Sequence, residues 1–335
     1  MKVVVFQQEA IGGEPRREEL IAEWKRRFAA VPGVDELVFH NPPGMEGIDE
    51  LIGDADALLG MWIRDHAISE EFLGRHPKLK YIATLGHGFG AIDNDLTRAR
   101  GLTVTNTIYG DWTIAQYAIA LLLDLCHNIA GQDDFYRNKV WSLPPQEAGR
   151  PPMRVVSRQI ELYEKTFGVW GLGSIGLRAA QMAVGLGMKV IGCSRTKKQG
   201  PQWDFIEQVP LNELLLRSDV ISLHVPLSKE SAGIVNKESI ARMKDGVILI
   251  NTARGALIDE NDLIEALKSG KVYAAGLDVL AGEPLKAPAP IMALPNTRIT
   301  QHIAWAPAEA RLRTIRVAVE NFKNWLEGHP TSVVN

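Results

Sequence analysis

The sequence contains almost no cysteine. Only Cys126 and Cys193 occur among its 335 residues, which excludes a disulfide framework and a metal cluster of the cysteine type. Cys126 follows the apolar run Ala120–Leu123, so we expect it to be a buried small hydrophobic residue. A chain of this length can bury a large core without cross-links. No metal site is expected.

The sequence also lacks an excess of one charge and a long hydrophobic run. Its 37 basic and 40 acidic side chains give a net charge of -3, which does not favour nucleic acid or a membrane surface as a partner. No apolar stretch approaches the length of a membrane span. The apolar start Met1–Phe6 is too short for the core of a signal peptide and is predicted to be a strand. These absences favour a cytoplasmic enzyme.

Short β-branched runs alternate with longer amphipathic ones, which is typical of an α/β fold with parallel sheets. Strands are predicted at Val3–Phe6, Glu36–His40, Ala57–Trp62, Lys80–Leu85, Leu102–Asn106, Thr166–Gly171, Lys189–Cys193, Asp219–His224, Val247–Asn251, Tyr273–Asp278 and Arg298–Thr300. Helices are predicted at Arg17–Ala30, Ser69–Arg75, Trp112–Cys126, Leu177–Gly185 and Pro307–Leu326. The pattern indicates two doubly wound units, with a helix such as Trp112–Cys126 bridging them.

The strongest local signal is the motif Gly171-Leu172-Gly173-Ser174-Ile175-Gly176. It follows an apolar strand, opens a helical run and precedes another strand at βαβ spacing, which is the context of a dinucleotide-binding loop. Gly171 would allow the tight turn, Gly173 would let the backbone approach a pyrophosphate, and Gly176 would allow close helix–strand packing. The N–H groups at the N-terminus of the following helix would favour the phosphates, and Ser174 and Ile175 of the motif are expected to bind the cofactor with its glycines.

The end of the next strand bears on the choice of nicotinamide cofactor. An NAD site usually carries Asp or Glu there, which accepts a hydrogen bond from the ribose 2′-hydroxyl. This chain has Ser194-Arg195-Thr196 instead. The planar fork of Arg195 can bind a 2′-phosphate, to which Ser194 or Thr196 can donate. The sequence therefore predicts NADP as the preferred cofactor, with NAD also possible.

Charged side chains follow three of the later predicted strands. Arg254 follows Val247–Asn251, Asp278 and Glu283 end or follow Tyr273–Asp278, and His302 follows the last strand. The carboxyl ends of parallel strands are where ligands bind in an open α/β sheet. A cation that holds a carboxylate, and an acid tuned near neutral pH, are what the reduction of a 2-oxo acid needs beside the cofactor.

Several longer motifs occur in a fixed order along nearly the whole chain: Gly86–Asp93, Gly171–Gly176, His224–Leu227, Met243–Gly246, Asn251–Gly255, Gly276–Val279 and His302. With them the chain resembles the D-isomer-specific 2-hydroxy acid dehydrogenase family. Within that family the segment His302–Ala306 is most similar to the glycerate dehydrogenase/hydroxypyruvate (glyoxylate) reductase branch.

The resemblance implies a role for each matching residue. His302 would be the general acid in reduction and the base in oxidation, with Glu283 hydrogen-bonded to it and favouring its charged form. Arg254 would bind the substrate carboxylate and help to polarise the ketone. Backbone N–H groups around His87 and Gly88 would complete the grip on the carboxylate. The positions lining the cofactor would be Val225, Pro226, Ser231, Thr252, Ala253 and Asp278, the last of them near the nicotinamide.

The resemblance also implies the architecture. A Rossmann-type coenzyme domain, residues 108–305, would be inserted in a flavodoxin-like catalytic domain made of residues 1–107 and 306–335, with the active site in the cleft. The substrate would be a small 2-oxo acid, glyoxylate or hydroxypyruvate, reduced to a D-2-hydroxy acid. Family members usually pair through the coenzyme domain, so a homodimer is expected.

The chain departs from the family pattern at a few positions. Gln116 stands where Glu is usual, and Gln301 stands where Pro is common. Residues 142–159 match no part of the family pattern. Two alternatives stay open. A dehydrogenase of the same fold could act on formate, phosphite or a bulkier 2-oxo acid, although a formate enzyme of this kind carries Gln at the position of Glu283. A nucleotide-sensing, corepressor-like protein could also keep the charged residues, although the similarity to metabolic members argues against it.

Overall fold

The computed structural model describes residues 1–7, 14–40, 47–60, 68–88, 92–139 and 155–335. Some predicted features lie outside these ranges: the end of the strand Ala57–Trp62, residues 89–91 of the motif Gly86–Asp93, and most of segment 142–159. The chain divides into two compact units, residues 1–110 with 305–335, called unit 1, and residues 111–304, called unit 2. The sequence placed the two boundaries after residues 107 and 305.

Unit 1 is built on a five-stranded parallel sheet in the order β2-β1-β3-β4-β5. Its strands are β1 (Lys2–Phe6), β2 (Glu36–His40), β3 (Ala57–Gly60), β4 (Tyr81–Ala83) and β5 (Thr103–Thr105). Its helices are α1 (Arg17–Phe28), α2 (Ile48–Ile52), α3 (Glu70–Arg75), α4 (Asn94–Ala99) and, from the later segment, α11 (Ala308–Leu326). This strand order is that of flavodoxin-like folds.

The alternation of side chains along β1 explains why this strand is apolar throughout. Val3 and Val5 face one layer, which contains Trp24 of α1 and Phe322 of α11, while Val4 and Phe6 face the opposite layer. A strand buried on both faces has no position for a polar side chain. Burying an aromatic side chain such as Trp24 contributes roughly 2–3 kcal/mol to folding.

Unit 2 is built on a seven-stranded parallel sheet in the order β12-β11-β10-β9-β6-β7-β8. Its strands are β6 (Thr166–Trp170), β7 (Lys189–Cys193), β8 (Glu207–Gln208), β9 (Val220–Leu223), β10 (Val247–Asn251), β11 (Val272–Leu277) and β12 (Thr297–Ile299). Its helices are α5 (Asp111–His127), α6 (Ile129–Asn138), α7 (Ser174–Gly185), α8 (Leu211–Arg217), α9 (Lys237–Arg242) and α10 (Glu260–Ser269).

The path of the chain through this sheet confirms the predicted Rossmann-type order. From β6 the chain moves outward to β7 and β8, then crosses to β9 and continues to β12 on the other side. The order reverses between β6 and β9, and ligands bind outside the carboxyl ends of the strands at such a switch point. The predicted fold class, two doubly wound parallel-sheet units, is therefore correct.

Several helix bounds differ from the predicted ones. Helix α7 begins at Ser174, inside the glycine motif, whereas the sequence placed its start at Leu177. Gly173 is its N-cap, so the loop before the helix is shorter than predicted. Helix α6 was not predicted. Over the described ranges no single helix is long and apolar enough to cross a membrane. Only the bent pair α5–α6 has, when its two helices are taken together, the length and apolar composition of a membrane span.

Candidate active site

Most of the predicted site residues lie on one edge of the seven-stranded sheet. Six neighbouring strands, from β12 through β11, β10, β9 and β6 to β7, end at this edge. In that order they are followed by His302, by Asp278 and Glu283, by Thr252–Arg254, by Val225–Ser231, by Gly171–Gly176 and by Ser194–Thr196. Parallel pairing aligns the carboxyl ends, so residues far apart in sequence converge there.

The glycine motif forms a tight loop pressed against the neighbouring strand end. Gly171 has a φ of 111°, and a Cβ on it would come within 2.6 Å of the His224 carbonyl. A Cβ on Gly176 would lie 2.2 Å from the Gly171 oxygen, so the helix packs closely on the turn. A Cβ on Gly173 would meet nothing within 4 Å. The loop is therefore crowded on its inner side and open above Gly173, where α7 presents its first N–H groups.

His224 follows β9 and adjoins this loop. Its Nε2 lies 2.9 Å from the Ser222 hydroxyl, and burial lowers the pKa of His224 to about 4. The imidazole is therefore neutral near pH 7. Positive potential for a phosphate at this position comes from the N-terminus of α7 rather than from His224.

The turn after β10 is organised by a buried asparagine. The Asn251 side chain is fully buried; its Oδ1 accepts from the Ala253 amide at 3.0 Å, and its Nδ2 donates to the Arg254 carbonyl at 2.9 Å. The Arg254 guanidinium is half-buried and donates to the Ala253 carbonyl at 2.6 Å. Asn251 thus fixes the backbone from which Arg254 extends.

The Thr252 hydroxyl in the same turn is a buried polar atom with no hydrogen-bond partner among the described residues. A buried hydroxyl without a partner is costly, and native proteins rarely keep one except where a ligand or water completes it. Thr252 is one strand away from the switch point, next to the loop after β9. Its position fits a bound polar ligand at this edge.

Gly255 brings the Arg254 turn against the loop that carries Glu283. A Cβ on Gly255 would lie 1.9 Å from the carbonyl carbon of Leu280 and 2.3 Å from the amide nitrogen of Ala281. Only glycine permits two backbones to approach this closely. The turns after β10 and β11 are therefore in direct backbone contact.

His302 and Glu283 form a hydrogen-bonded pair. Nδ1 of His302 lies 3.0 Å from Oε2 of Glu283, and both side chains keep about 30% of their surface exposed, 32% and 28%. The other oxygen, Oε1, accepts from the Leu280 amide at 2.6 Å. Because a carboxylate only accepts, Nδ1 carries a proton, and the nitrogen that can exchange a proton with a substrate is Nε2.

Asp278 holds the turn that carries this histidine. Its fully buried carboxylate accepts from the Thr300 hydroxyl at 2.6 Å and from the Ile303 and Ala304 amides at 2.9 Å each. The same turn places His302 at a φ of 58°, a left-handed backbone conformation that residues other than glycine rarely adopt. Asp278 was predicted to line the cofactor; its contacts in the structure are with residues 300–304.

The loops after β7 and β9 place further predicted cofactor residues. The Ser194 hydroxyl donates to the Thr196 carbonyl at 2.8 Å, while Arg195 and Thr196 are exposed. Ser231 donates from its hydroxyl to the Pro226 carbonyl at 2.7 Å and so closes its own turn. In that turn, the Ser228 hydroxyl and the charge of Arg195 lower the pKa of Glu230. An acidic group therefore lies within electrostatic reach of Arg195.

His87 and Gly88 belong to unit 1, where they follow β4. The carbonyl of His87 accepts from Asn106 Nδ2 at 2.9 Å, and the carbonyl of Gly86 accepts from the Thr107 amide at 3.0 Å. The other predicted site residues lie in unit 2. Over the described ranges no cluster of three or more His, Cys, Asp or Glu side chains could hold a metal ion.

Two residues that shape this edge were not assigned a role from the sequence, Asn251 and Gly255. A usable signal existed for the first. Asn251 ends an otherwise apolar strand, and a buried amide must be hydrogen-bonded to something nearby. No sequence pattern signals the contact of Gly255 with Leu280, because it joins two turns that are 25 residues apart.

Known proteins match this chain in sequence and in structure. Residues 119–304 match the family described as D-isomer specific 2-hydroxyacid dehydrogenase, NAD binding domain. A hydroxypyruvate reductase of Blautia hydrogenotrophica is 40% identical over 293 residues, which cover 87% of this chain and 88% of that protein. A glyoxylate reductase of Thermococcus litoralis is 38% identical over 290 residues, 85% of each. A crystal structure of a glyoxylate reductase from Paecilomyes thermophila superimposes with a TM-score of 0.81 at 27% identity and covers 99% of this chain and 98% of that one.

Proposed function

Because the chain belongs to the D-isomer specific 2-hydroxyacid dehydrogenase family, we propose that it reduces glyoxylate or hydroxypyruvate to the D-2-hydroxy acid, with NADPH as the preferred hydride donor. The observation that carries the proposal is the His302–Glu283 pair, placed by adjacent strands beside the turn of Arg254. The relatives that match most of the chain favour this reaction over the oxidation of formate or phosphite and over a corepressor-like role.

The residues of unit 2 fit a nicotinamide dinucleotide. The N-terminus of α7 and the open side of Gly173 would hold the pyrophosphate, and the buried Thr252 hydroxyl would gain the partner that it lacks among the described residues. Val225, Pro226 and Ala253 would line the same edge. When bound, the reduced cofactor supplies the hydride that adds to the 2-carbon of the substrate.

His302 would supply the proton. In reduction the imidazolium, protonated at both nitrogens, gives the Nε2 proton to the ketone oxygen and becomes neutral with Nδ1–H still donated to Glu283. The carboxylate favours the charged imidazole before transfer and keeps the ring oriented throughout. In the oxidation direction the neutral Nε2 takes the hydroxyl proton. Asp278 would act through His302, because its carboxylate holds the turn on which the imidazole depends.

Arg254 would bind the substrate carboxylate and polarise the ketone. The proposal is tested with purified protein on glyoxylate, hydroxypyruvate, pyruvate, formate and phosphite. We expect the highest kcat/KM with glyoxylate or hydroxypyruvate, and a loss of about 10- to 100-fold in Arg254→Lys, which keeps the charge but loses the planar fork. The KM for NADPH should stay unchanged. Arg242→Lys, at an exposed arginine of the same unit, is the control. Normal turnover of 2-oxo acids by Arg254→Lys would contradict this role.

The preference for NADPH would come from the loop after β7. Arg195 is exposed there, and position 194 carries serine rather than an acidic residue. A 2′-phosphate would therefore meet a cation rather than a carboxylate. We expect kcat/KM to favour NADPH over NADH by at least about tenfold, which corresponds to about 1.4 kcal/mol. Glu230 opposes this preference, because its charge reaches Arg195.

The double variant Ser194→Asp, Arg195→Ala should reverse the preference, since it restores an acceptor for the 2′-hydroxyl and removes the cation. Steady-state kinetics with both cofactors measures the ratio. Lys189→Ala, at an exposed lysine on the opposite end of β7, is the matched control for loss of a positive charge. Equal use of the two cofactors by the unaltered protein would show that this loop does not select.

We also propose a homodimer in the cytoplasm. Helix α6 buries no residue within unit 2, and it exposes Ile129 and Tyr136 by 64% and 55%. Apolar surface of this kind favours a protein partner, and a second copy of the chain fits the assembly implied by the family. Both cysteines are free, which suits a reducing compartment.

A further inference from the structure

The side chain of His87 is bound to the backbone of another segment. Its Nε2 accepts a hydrogen bond from the Gly110 amide at 3.0 Å, and its ring packs at 46° against Tyr109 with the centroids 5.6 Å apart. A nitrogen that accepts an N–H cannot itself carry a proton, so Nε2 is unprotonated in this arrangement. The Gly110 amide is buried with its residue, and a buried amide requires an acceptor.

The segment that His87 binds is itself anchored. The Tyr109 carbonyl accepts from Arg313 Nη1 at 3.0 Å, and the Asn106 carbonyl accepts from Asn321 Nδ2 at 3.0 Å; both donors lie on α11. Residues 106–110 are thus fixed to a long helix of unit 1, and Gly110 is the last residue before unit 2 begins. The loop 86–88 is attached to this segment by two backbone carbonyls and by one side chain, that of His87.

We propose that His87 is a positioning residue: its imidazole, by accepting from the Gly110 amide, sets the backbone of loop 86–88 that grips the substrate carboxylate. The inference rests on the proposed function, which assigns the N–H groups of this loop to the carboxylate. Nε2 is committed to the amide, so this nitrogen transfers no proton to the substrate. Residues that only fix a binding loop change substrate affinity more than the chemical step.

Two variants separate loss of the hydrogen-bond acceptor from loss of the imidazole ring, and a third is the control. His87→Leu keeps apolar bulk and removes the acceptor, whereas Oε1 of His87→Gln can reach the position of Nε2 and accept from the amide. His127→Leu, at a histidine in unit 2, controls for loss of an imidazole elsewhere. With glyoxylate or hydroxypyruvate as substrate, we expect His87→Leu to raise KM by at least about tenfold while kcat stays within about threefold. His87→Gln should restore KM to near the unaltered value, and the KM for NADPH should not change.

Hydrogen exchange of the Gly110 amide gives a readout that does not depend on turnover. His87→Leu should exchange this amide faster than the unaltered protein, and His87→Gln should not. If the unaltered protein turns over no 2-oxo acid, the proposed function fails, while the exchange rates still decide whether His87 protects the amide. If His87→Leu does not fold, His87→Gln must still fold with normal KM and exchange. A Gln variant as impaired as the Leu variant, a fall in kcat without a rise in KM, or unchanged kinetics in both would overturn the proposal.

Discussion

Replacing His302 with alanine is expected to lower kcat for 2-oxo acid reduction by about 10²–10⁴-fold, the usual worth of a positioned general acid. The only change at the site is loss of the imidazole that donates Nδ1–H to Glu283 and presents Nε2. NADPH affinity should stay unchanged, because the cofactor-binding loops follow other strands. His302→Asn is the companion variant, since Asn tolerates the left-handed backbone at this position but cannot deliver the proton. Full activity in either variant would show that the proton comes from another group.

Glu283→Gln tests the pair as a unit. Gln keeps an oxygen for Nδ1–H and removes the negative charge, so the ring stays oriented while its charged form loses stabilisation. Reduction needs the charged form, so we expect kcat for reduction to fall, by less than in His302→Ala. Activity should persist. The double variant with His302→Ala should be little worse than His302→Ala alone, because residues that act together are not additive. An unchanged kcat for reduction in Glu283→Gln would separate Glu283 from the proton transfer.

Replacing Gly255 with alanine is expected to lower kcat/KM by at least about 10²-fold. The added Cβ would lie 1.9 Å from the Leu280 carbonyl carbon, well inside van der Waals contact, and backbone cannot rotate away as a side chain can. The turns of Arg254 and Glu283 must then separate by about 1 Å, and a displacement of that size in a catalytic site costs on the order of 10²-fold. Overpacking should also lower the free energy of unfolding by about 1–3 kcal/mol.

Gly185→Ala is the matched control for this change. Gly185 ends α7 in the same unit, and a Cβ there would meet nothing within 4 Å. We expect unchanged kinetics and a stability equal to or up to about 1 kcal/mol above that of the unaltered protein, since Ala favours helix over Gly. Steady-state kinetics and thermal unfolding of both variants measure the contrast. Near-normal kcat/KM in Gly255→Ala would mean that the two turns do not need their present contact.

The periodicity of the sequence was enough to predict the two doubly wound units. Buried parallel strands are continuous apolar runs such as Val247–Ile250, and strands that follow one another in the chain are usually neighbours in the sheet. The ends of the predicted strands then indicate Arg254, Glu283 and His302, because ligands bind at the carboxyl ends of parallel strands. The motif Gly171–Gly176 was recognisable because its glycines serve local geometry within one βαβ unit.

Contacts between turns were beyond the reach of the same reasoning. The approach of Gly255 to Leu280 and the hold of Asp278 on residues 300–304 each depend on the register of neighbouring strands, which hydrophobic pattern alone does not specify. The sequence predicts Asp278 at the cofactor edge but does not reveal that its carboxylate holds the turn of His302. The left-handed backbone of His302 was equally invisible, since it follows from that turn and not from a residue preference.

The interruption of unit 1 by unit 2 has a consequence for synthesis on the ribosome. The core of unit 1 places Ile315 and Phe322, which are made after unit 2, against Trp24 and Tyr81, which are made before it. At about 5–20 residues per second, translation of residues 111–304 lasts on the order of 10–40 s. During that time one apolar face of the five-stranded sheet has no α11 to cover it, and such surfaces are the ones that aggregate or bind chaperones. Unit 2 is one continuous stretch, so it can fold on the nascent chain before the segment that completes the core of unit 1 has been synthesised.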